Sequence, residues 1–330
     1  MPRTKRESRK RLIRVFISVI IIVGAACIAA YLLKSHPISI SKETEWAIGI
    51  YQGDSIFNLS PVPEIRNPVL RASDVTDVKA EYVADPFMVQ AGDAWFMFFE
   101  VMNSLNNQGD IGCATSQDGL LWKYERIILN EPFHLSYPYV FQWEGQFYMI
   151  PESAEGGAIR LYRAEQFPYS WTFMSDLLKG AYSDTCVFRK DGTWWMLTCS
   201  KPYQHDELRL FFADRLTGPW TEHPASPVVS GDPKKAQCGG RIIIDSGAII
   251  RFAHDDFPTY GKKVLAFIIS ELSRTKYAEK EYEGNPVLSA HGRGWNRHGM
   301  HHIDAHEVSP RKWIAAVDGY RKQYVFRIEY

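Results

Sequence analysis

Four stretches decide the fold: CATSQDGLLWKYERIIL (113–129), YRAEQFPYSWTFMSDLL (162–178), FFADRLTGPWTEHPASPVV (211–229) and FIISELSRTKYAEKEYEGNPVL (267–288). Each reads as strand, polar turn, aromatic, strand. The aromatics are Trp122, Trp171, Trp220 and Tyr277, spaced 49, 49 and 57 residues apart. A period of about fifty residues with four strands per period is the signature of β-propeller blades. Hairpins precede the first three stretches: FMVQAGDAWFMFFE (87–100), VFQWEGQFYMIPE (140–152) and VFRKDGTWWMLTC (187–199). Their centres, Gly92-Asp93, Glu144-Gly145 and Asp191-Gly192, carry the residues that tight turns require. The last segment, 299–330, supplies a further hairpin. Glu45–Tyr51 is expected to pair with it and close the ring. The reading is an all-β, five-bladed β-propeller over residues 43–330. A sandwich of similar strand count is the competing architecture.

Outward from the propeller, the amino end is a different object. The chain has 330 residues and equal numbers, 38 and 38, of basic and acidic side chains. The balance is uneven: residues 1–34 hold eight Lys and Arg against Glu7 alone. Val15 to Leu33 carries no charge, and 19 residues of helix rise about 28 Å, one hydrocarbon thickness. The expected order is a basic stub (1–14), a transmembrane helix (15–33), a linker (34–42) and the propeller. The basic flank places the amino end in the cytoplasm and the propeller outside. A cleaved signal peptide and a weak lipobox at Gly24–Cys27 compete with the anchor. An aromatic content of 14% excludes a disordered chain, and the absence of a basic excess argues against a nucleic-acid partner. The five cysteines show no CxxC pair, which disfavours a structural zinc.

The hairpins share a register rule. An aromatic follows each turn, and five positions later stands Glu100, Glu152, Cys199 or Asp318; blade four has His254 there. Two-residue turns would set Glu100 opposite Asp85, Glu152 opposite Tyr137 and Cys199 opposite Asp184. Asp318 would face His302, or His301 if the turn is even, and Arg241 would lie near His254. These positions share one end of the strands that line a propeller channel. Crowded carboxylates there can hold unequal pKa values, one protonated and one ionised, as glycoside hydrolysis requires. The candidate catalytic residues are Asp85, Asp184, Glu152 and Glu100. Candidate substrate contacts are His134, Tyr137, Arg160, Arg241, His254, Asp255, His301, His302, Asp304 and Asp318.

No cofactor is required by this chemistry. His302 and Asp304 share a strand face, so a channel Ca²⁺ is allowed, whereas the strand reading disfavours a helical zinc site at His302 and His306. Ser116-Gln117-Asp118-Gly119 with Trp122 reads as a turn clasp. Trp143 and Trp195 are either sugar-stacking platforms or blade packing.

The motifs Ala84-Asp85-Pro86-Phe87, Glu131–Pro138, Ile150-Pro151-Glu152-Ser153, Gly239-Gly240-Arg241 and Gly299–Asp304 resemble one family. It is the propeller domain at the amino end of the plant glucosamine inositolphosphorylceramide transferases and its bacterial stand-alone relatives, matched over about residues 70 to 322. In the plant proteins the transferase chemistry resides in another domain. More distantly the chain is similar to the five-bladed clan of arabinanases, xylosidases, invertases and levansucrases. That resemblance implies a base or nucleophile at Asp85 and a general acid at Asp184. The clan's middle Asp falls at Tyr137, which departs from its pattern, and Glu152 is placed to supply the lost charge. The expected function is a membrane-anchored glycosidase or transglycosidase acting on an extracytoplasmic glycan. The alternative is a non-catalytic propeller that binds a saccharide or glycoconjugate and positions it for a partner glycosyltransferase.

Overall fold

The computed structural model describes residues 3–35 and 38–328. Residues 1–2 of the expected stub, 36–37 of the expected linker and 329–330 of the expected propeller lie outside the described residues. The chain divides into two units, one of residues 45–321 and one of residues 1–44 with 322–330. The smaller unit contains a helix, Arg3–Ser35, over the uncharged run. The side chains of residues 28–33 are outside those described, and among the described residues no helix is long and apolar enough to cross a membrane. A strand begins at Ile38, inside the expected linker, and continues to Ser55.

The larger unit is the five-bladed propeller: its strands form five antiparallel sheets. The first is Ala80–Ala91, Ala94–Asn103, Gln108–Ser116 and Lys123–Leu129. The next three start from the inner strands Ser136–Trp143, Ser183–Lys190 and Ile243–Asp245. The fifth joins both ends of the chain, with Ile38–Ser55 beside Lys312–Ile328. Pairing strands far apart in sequence closes the ring, and the radial array of blades leaves only short sheet edges.

Local chemistry accounts for the turns. Glu144-Gly145, Asp191-Gly192 and Ser246-Gly247 all have positive φ, the conformation of hairpin turns whose twist matches that of the strands. The repeated aromatics explain the fifty-residue period. The indole N–H of Trp122 donates to the Gly119 carbonyl (3.0 Å), that of Trp171 to Pro168 (2.8 Å) and that of Trp220 to Leu216 (3.2 Å). Each ring thus ties down the turn between the third and fourth strands of its blade. In the first blade Asp118 and Ser116 complete the clasp. Tyr277 departs from the pattern, its hydroxyl donating to Glu279 instead. Side chains of the first three blades pack together: Phe87, Tyr139, Val140, Val187 and Leu197 belong to one buried cluster.

Candidate active site

The expected cross-strand register is off by one residue at the channel end of three blades. Near the turns it holds, with Gln90 opposite Trp95, Gln142 opposite Phe147 and Arg189 opposite Trp194. Farther along, two residues of the inner strand oppose one of its neighbour. The inserted pairs are Asp85-Pro86, Tyr137-Pro138 and Asp184-Thr185. Glu100 therefore faces Ala84, Glu152 faces Ser136 and Cys199 faces Ser183, which corrects the expected partners Asp85, Tyr137 and Asp184. The first residue of each bulge is left-handed, with φ of 53° at Asp85, 43° at Tyr137 and 48° at Asp184. Such a bulge re-aims a side chain that regular pleating would have directed elsewhere, and it tolerates Pro because no ladder hydrogen bond is lost.

The bulges build a cavity of about 280 Å³. Asp85 and Glu100 enter it from the first blade, Ser136 and Glu152 from the second, and Ser183 and Asp184 from the third. His134 and His301 reach it as expected; Trp46, Tyr82, His205 and Tyr260 complete much of the wall and were not anticipated. Tyr137 shares the left-handed backbone but not the destination. Its buried hydroxyl accepts from the Gly240 N–H (2.9 Å), lies 3.1 Å from the Gly240 carbonyl and contacts the Cys186 thiol. It packs edge-on against Phe87 and His302, away from the cavity lining.

Burial pushes Asp85 well above the usual carboxylate range, against the pull of His301. Burial and the charge of Asp184 do the same to Glu152. Glu100 accepts from the Tyr82 hydroxyl (3.1 Å) and faces His134 Nε2 at 3.4 Å. His134 is oriented by Gly109, whose N–H donates to its Nδ1 (2.9 Å).

Other expected contacts stand behind this wall. Asp318 accepts from the backbone N–H groups of Asp85, His301 and His302 and from His301 Nδ1 (2.8 Å). Burial alone would raise Asp318, but the charge and hydrogen bond of His301 hold it below its ordinary value. The strand register runs to Ile303 opposite Val317 and resumes with Gly299 opposite Tyr320, and within that gap it is the His301 ring that bonds Asp318. The His302 ring is fully buried with neither nitrogen hydrogen-bonded, and burial depresses its pKa to about 4. Arg241 does not approach His254, as had been expected. It pairs with buried Asp304 (2.7 Å), whose carboxylate also accepts from His306 and the Met88 N–H. His254 is buried behind Asp184. Arg160 packs over Phe133, 3.9 Å from both Glu131 and Asp176, and Asp255 pairs with Lys263 beside a different cavity. Trp195 is blade packing; Trp143 lies under Arg189 in another cleft.

The expected His302 and Asp304 position does not fit a cation. Asp304 is consumed by Arg241, His306 and Met88, and His302 is hemmed by aromatic rings. Asp85, His301 and Asp318 converge closely enough to hold an ion, but four N–H donors already occupy both Asp318 oxygens. That cluster is arranged to share protons.

Comparison with known proteins gives the same fold. Residues 39–320 match the family described as glucosamine inositolphosphorylceramide transferase 1, N-terminal. The glucosamine inositolphosphorylceramide transferase 1 of Oryza sativa subsp. japonica is 36% identical over 300 residues, covering 84% of this chain. The chain spans 40% of that relative's length. Among solved structures, the β-1,2-mannobiose phosphorylase of Listeria innocua superposes with a TM-score of 0.59 at 13% identity, covering 82% of this chain and 96% of that one. The catalytic domain of the Coprinopsis cinerea GH62 α-L-arabinofuranosidase gives 0.56 at 11% identity, covering 73% and 92%.

Proposed function

The chain belongs to the family of the N-terminal region of glucosamine inositolphosphorylceramide transferase 1, and from that premise we propose that its propeller hydrolyses or transfers a glycosidic bond in the central cavity. The observation that carries this reading is the convergence of Asp85 and Glu152, both raised above the carboxylate range, with Asp184 in one cavity. Glu152, raised by burial and by the charge of Asp184, is the donor to the leaving oxygen. Asp85, a stronger base than an ordinary carboxylate once ionised, is the base or nucleophile. Glu100 tunes the charge, and Tyr82 and Tyr260 supply aromatic surface in the cavity lining for a sugar. Sugar-release assays on a glycan panel test the reading. Wild-type chain should release product, and Asp85→Asn and Glu152→Gln should each lose it while keeping the fold. Full turnover in either variant would overturn the assignment.

The second reading is a propeller that binds a glycan for a partner transferase. The withdrawal of Tyr137 from the cavity favours it. It predicts calorimetric saccharide binding with no product released.

We also propose that residues 15–33 anchor the chain with its amino end cytoplasmic and its propeller outside. The uncharged run and its basic flank support this. Carbonate extraction and protease protection of intact cells or spheroplasts test it, and release of the chain by carbonate would refute it.

A further inference from the structure

From the cavity wall run two chains of the same order, carboxylate, imidazole, carboxylate. In one, Asp318 accepts from His301 Nδ1 at 2.8 Å, and His301 Nε2 stops 3.6 Å from Asp85. In the other, Asp256 accepts from His254 Nδ1 at 2.8 Å, and His254 Nε2 reaches Asp184 at 3.1 Å. The two imidazoles are neighbours, their centroids 5.2 Å apart, and Tyr260 packs edge-on against both. The chain through His254 is closed at both ends, whereas the chain through His301 is open toward the cavity.

Asp256 is itself well held. Its Oδ1 also accepts from the Gly261 N–H at 2.9 Å, and its Oδ2 is buried without a hydrogen bond, 3.9 Å from His205 Nδ1. His254 is only 1% exposed. A ring that bonds a carboxylate through each nitrogen must carry a proton on both, because a carboxylate only accepts. The groups facing this ring are Asp184 from the third blade, Asp256 and Tyr260 from the fourth, and His301 from the fifth. Two adjacent carboxylates outweigh the one neighbouring imidazole.

We infer that His254 and Asp256 form a buried positioning pair that locks Asp184 as a hydrogen-bond acceptor and so leaves the transferable proton of the cavity on Glu152. The inference rests on the catalytic reading above only for what that proton does. The pair touches no substrate; it acts through Asp184. Burial would lower His254, but Asp256 and Asp184 outweigh it and hold the ring well above its ordinary value, as the geometry requires. Asp184 cannot turn away without stranding a buried imidazolium, so its carboxylate stays fixed in the cavity that Glu152 also lines.

Nitrogen-15 NMR of the histidine-labelled full chain, with carbon-13 detection of glutamate carboxyls, tests the pair without any substrate. In the wild type His254 should stay doubly protonated from pH 5 to above 7, and Glu152 should titrate above the usual carboxylate range. Asp256→Asn should lower the His254 midpoint by ~1 pH unit or more. Asp184→Asn serves if that variant does not fold, and should lower both the His254 and the Glu152 midpoints. A wild-type His254 that titrates near 6.5, or a midpoint unmoved by loss of either carboxylate, overturns the inference. Absence of turnover on every glycan would overturn the catalytic reading and leave the pair standing.

Discussion

Asp85 and Asp184 hold the same backbone conformation, φ of 53° and 48°, at the same two-against-one bulge of the first and third blades. Left-handed backbone costs a residue with a Cβ roughly 1–2 kcal/mol, least for Asp and Asn, whose short polar side chains tolerate it. The cost is accepted where a side chain must leave the pleat and enter the cavity. Asn should therefore substitute with little loss of fold. Asp85→Asn is expected to melt within a few degrees of wild type while glycan turnover falls by about a hundredfold or more. Asp85→Val should instead lose stability, because a β-branched residue resists that conformation. Equal melting temperatures for Asn and Val would refute the strain argument.

Tyr137 carries the same backbone conformation for a structural purpose. Its hydroxyl accepts from Gly240 N–H and contacts the Gly240 carbonyl and Cys186 across the channel. Tyr137→Phe leaves a buried N–H unsatisfied and should cost about 1–3 kcal/mol. Chemical denaturation measures it. Saccharide binding should persist in this variant, because the ring does not line the cavity.

Arg241 and Asp304 form a buried ion pair that also gathers Met88 and His306. Arg241→Met leaves Asp304 uncompensated, and a loss of roughly 3–5 kcal/mol is expected. Adding Asp304→Asn removes the stranded charge and should recover part of that loss. A double variant no more stable than Arg241→Met would show that the charge was not the cause.

The channel histidines pull stability in opposite directions with pH. His302 is neutral in the fold, its pKa lowered from 6.5 to about 4, so between those values the unfolded chain binds more protons and stability falls as pH falls. The ceiling of this loss is roughly 3 kcal/mol. His254 and His301 are raised, so their contribution is full below 6.5 and is lost as pH rises through their folded values. Thermal melts of wild type and His302→Phe from pH 7 to 5 separate the two. The variant should lose less stability on the acid side, and parallel curves would contradict the assignment.

The propeller was legible because its signals are local. A turn needs Gly, Asp or Asn at given positions, and a blade needs an aromatic to clamp its outer turn. Those demands recur with the blade, so Trp122, Trp171 and Trp220 announce it. Asp85, Glu100, Glu152 and Asp184 were legible for a related reason: their distance from the hairpin turns places them at one end of the channel. Asp255 is the expected contact, but its neighbour Asp256, just past the end of the strand Ala248–Asp255, is the residue that bonds His254. Three features depended on the tertiary structure. The bulges are single-residue insertions whose register follows from backbone φ, and spacing does not reveal them. Tyr137 was turned inward by Gly240, a partner 103 residues away. The proton chains join side chains from different blades, Asp184 to His254 and Asp85 to His301, which become neighbours only when the ring closes. The sequence by itself determined the blade repeat and the acidity of its channel, because both arise from contacts within a few residues. Which carboxyls are raised above their ordinary range was decided by burial and by partners brought together across the ring.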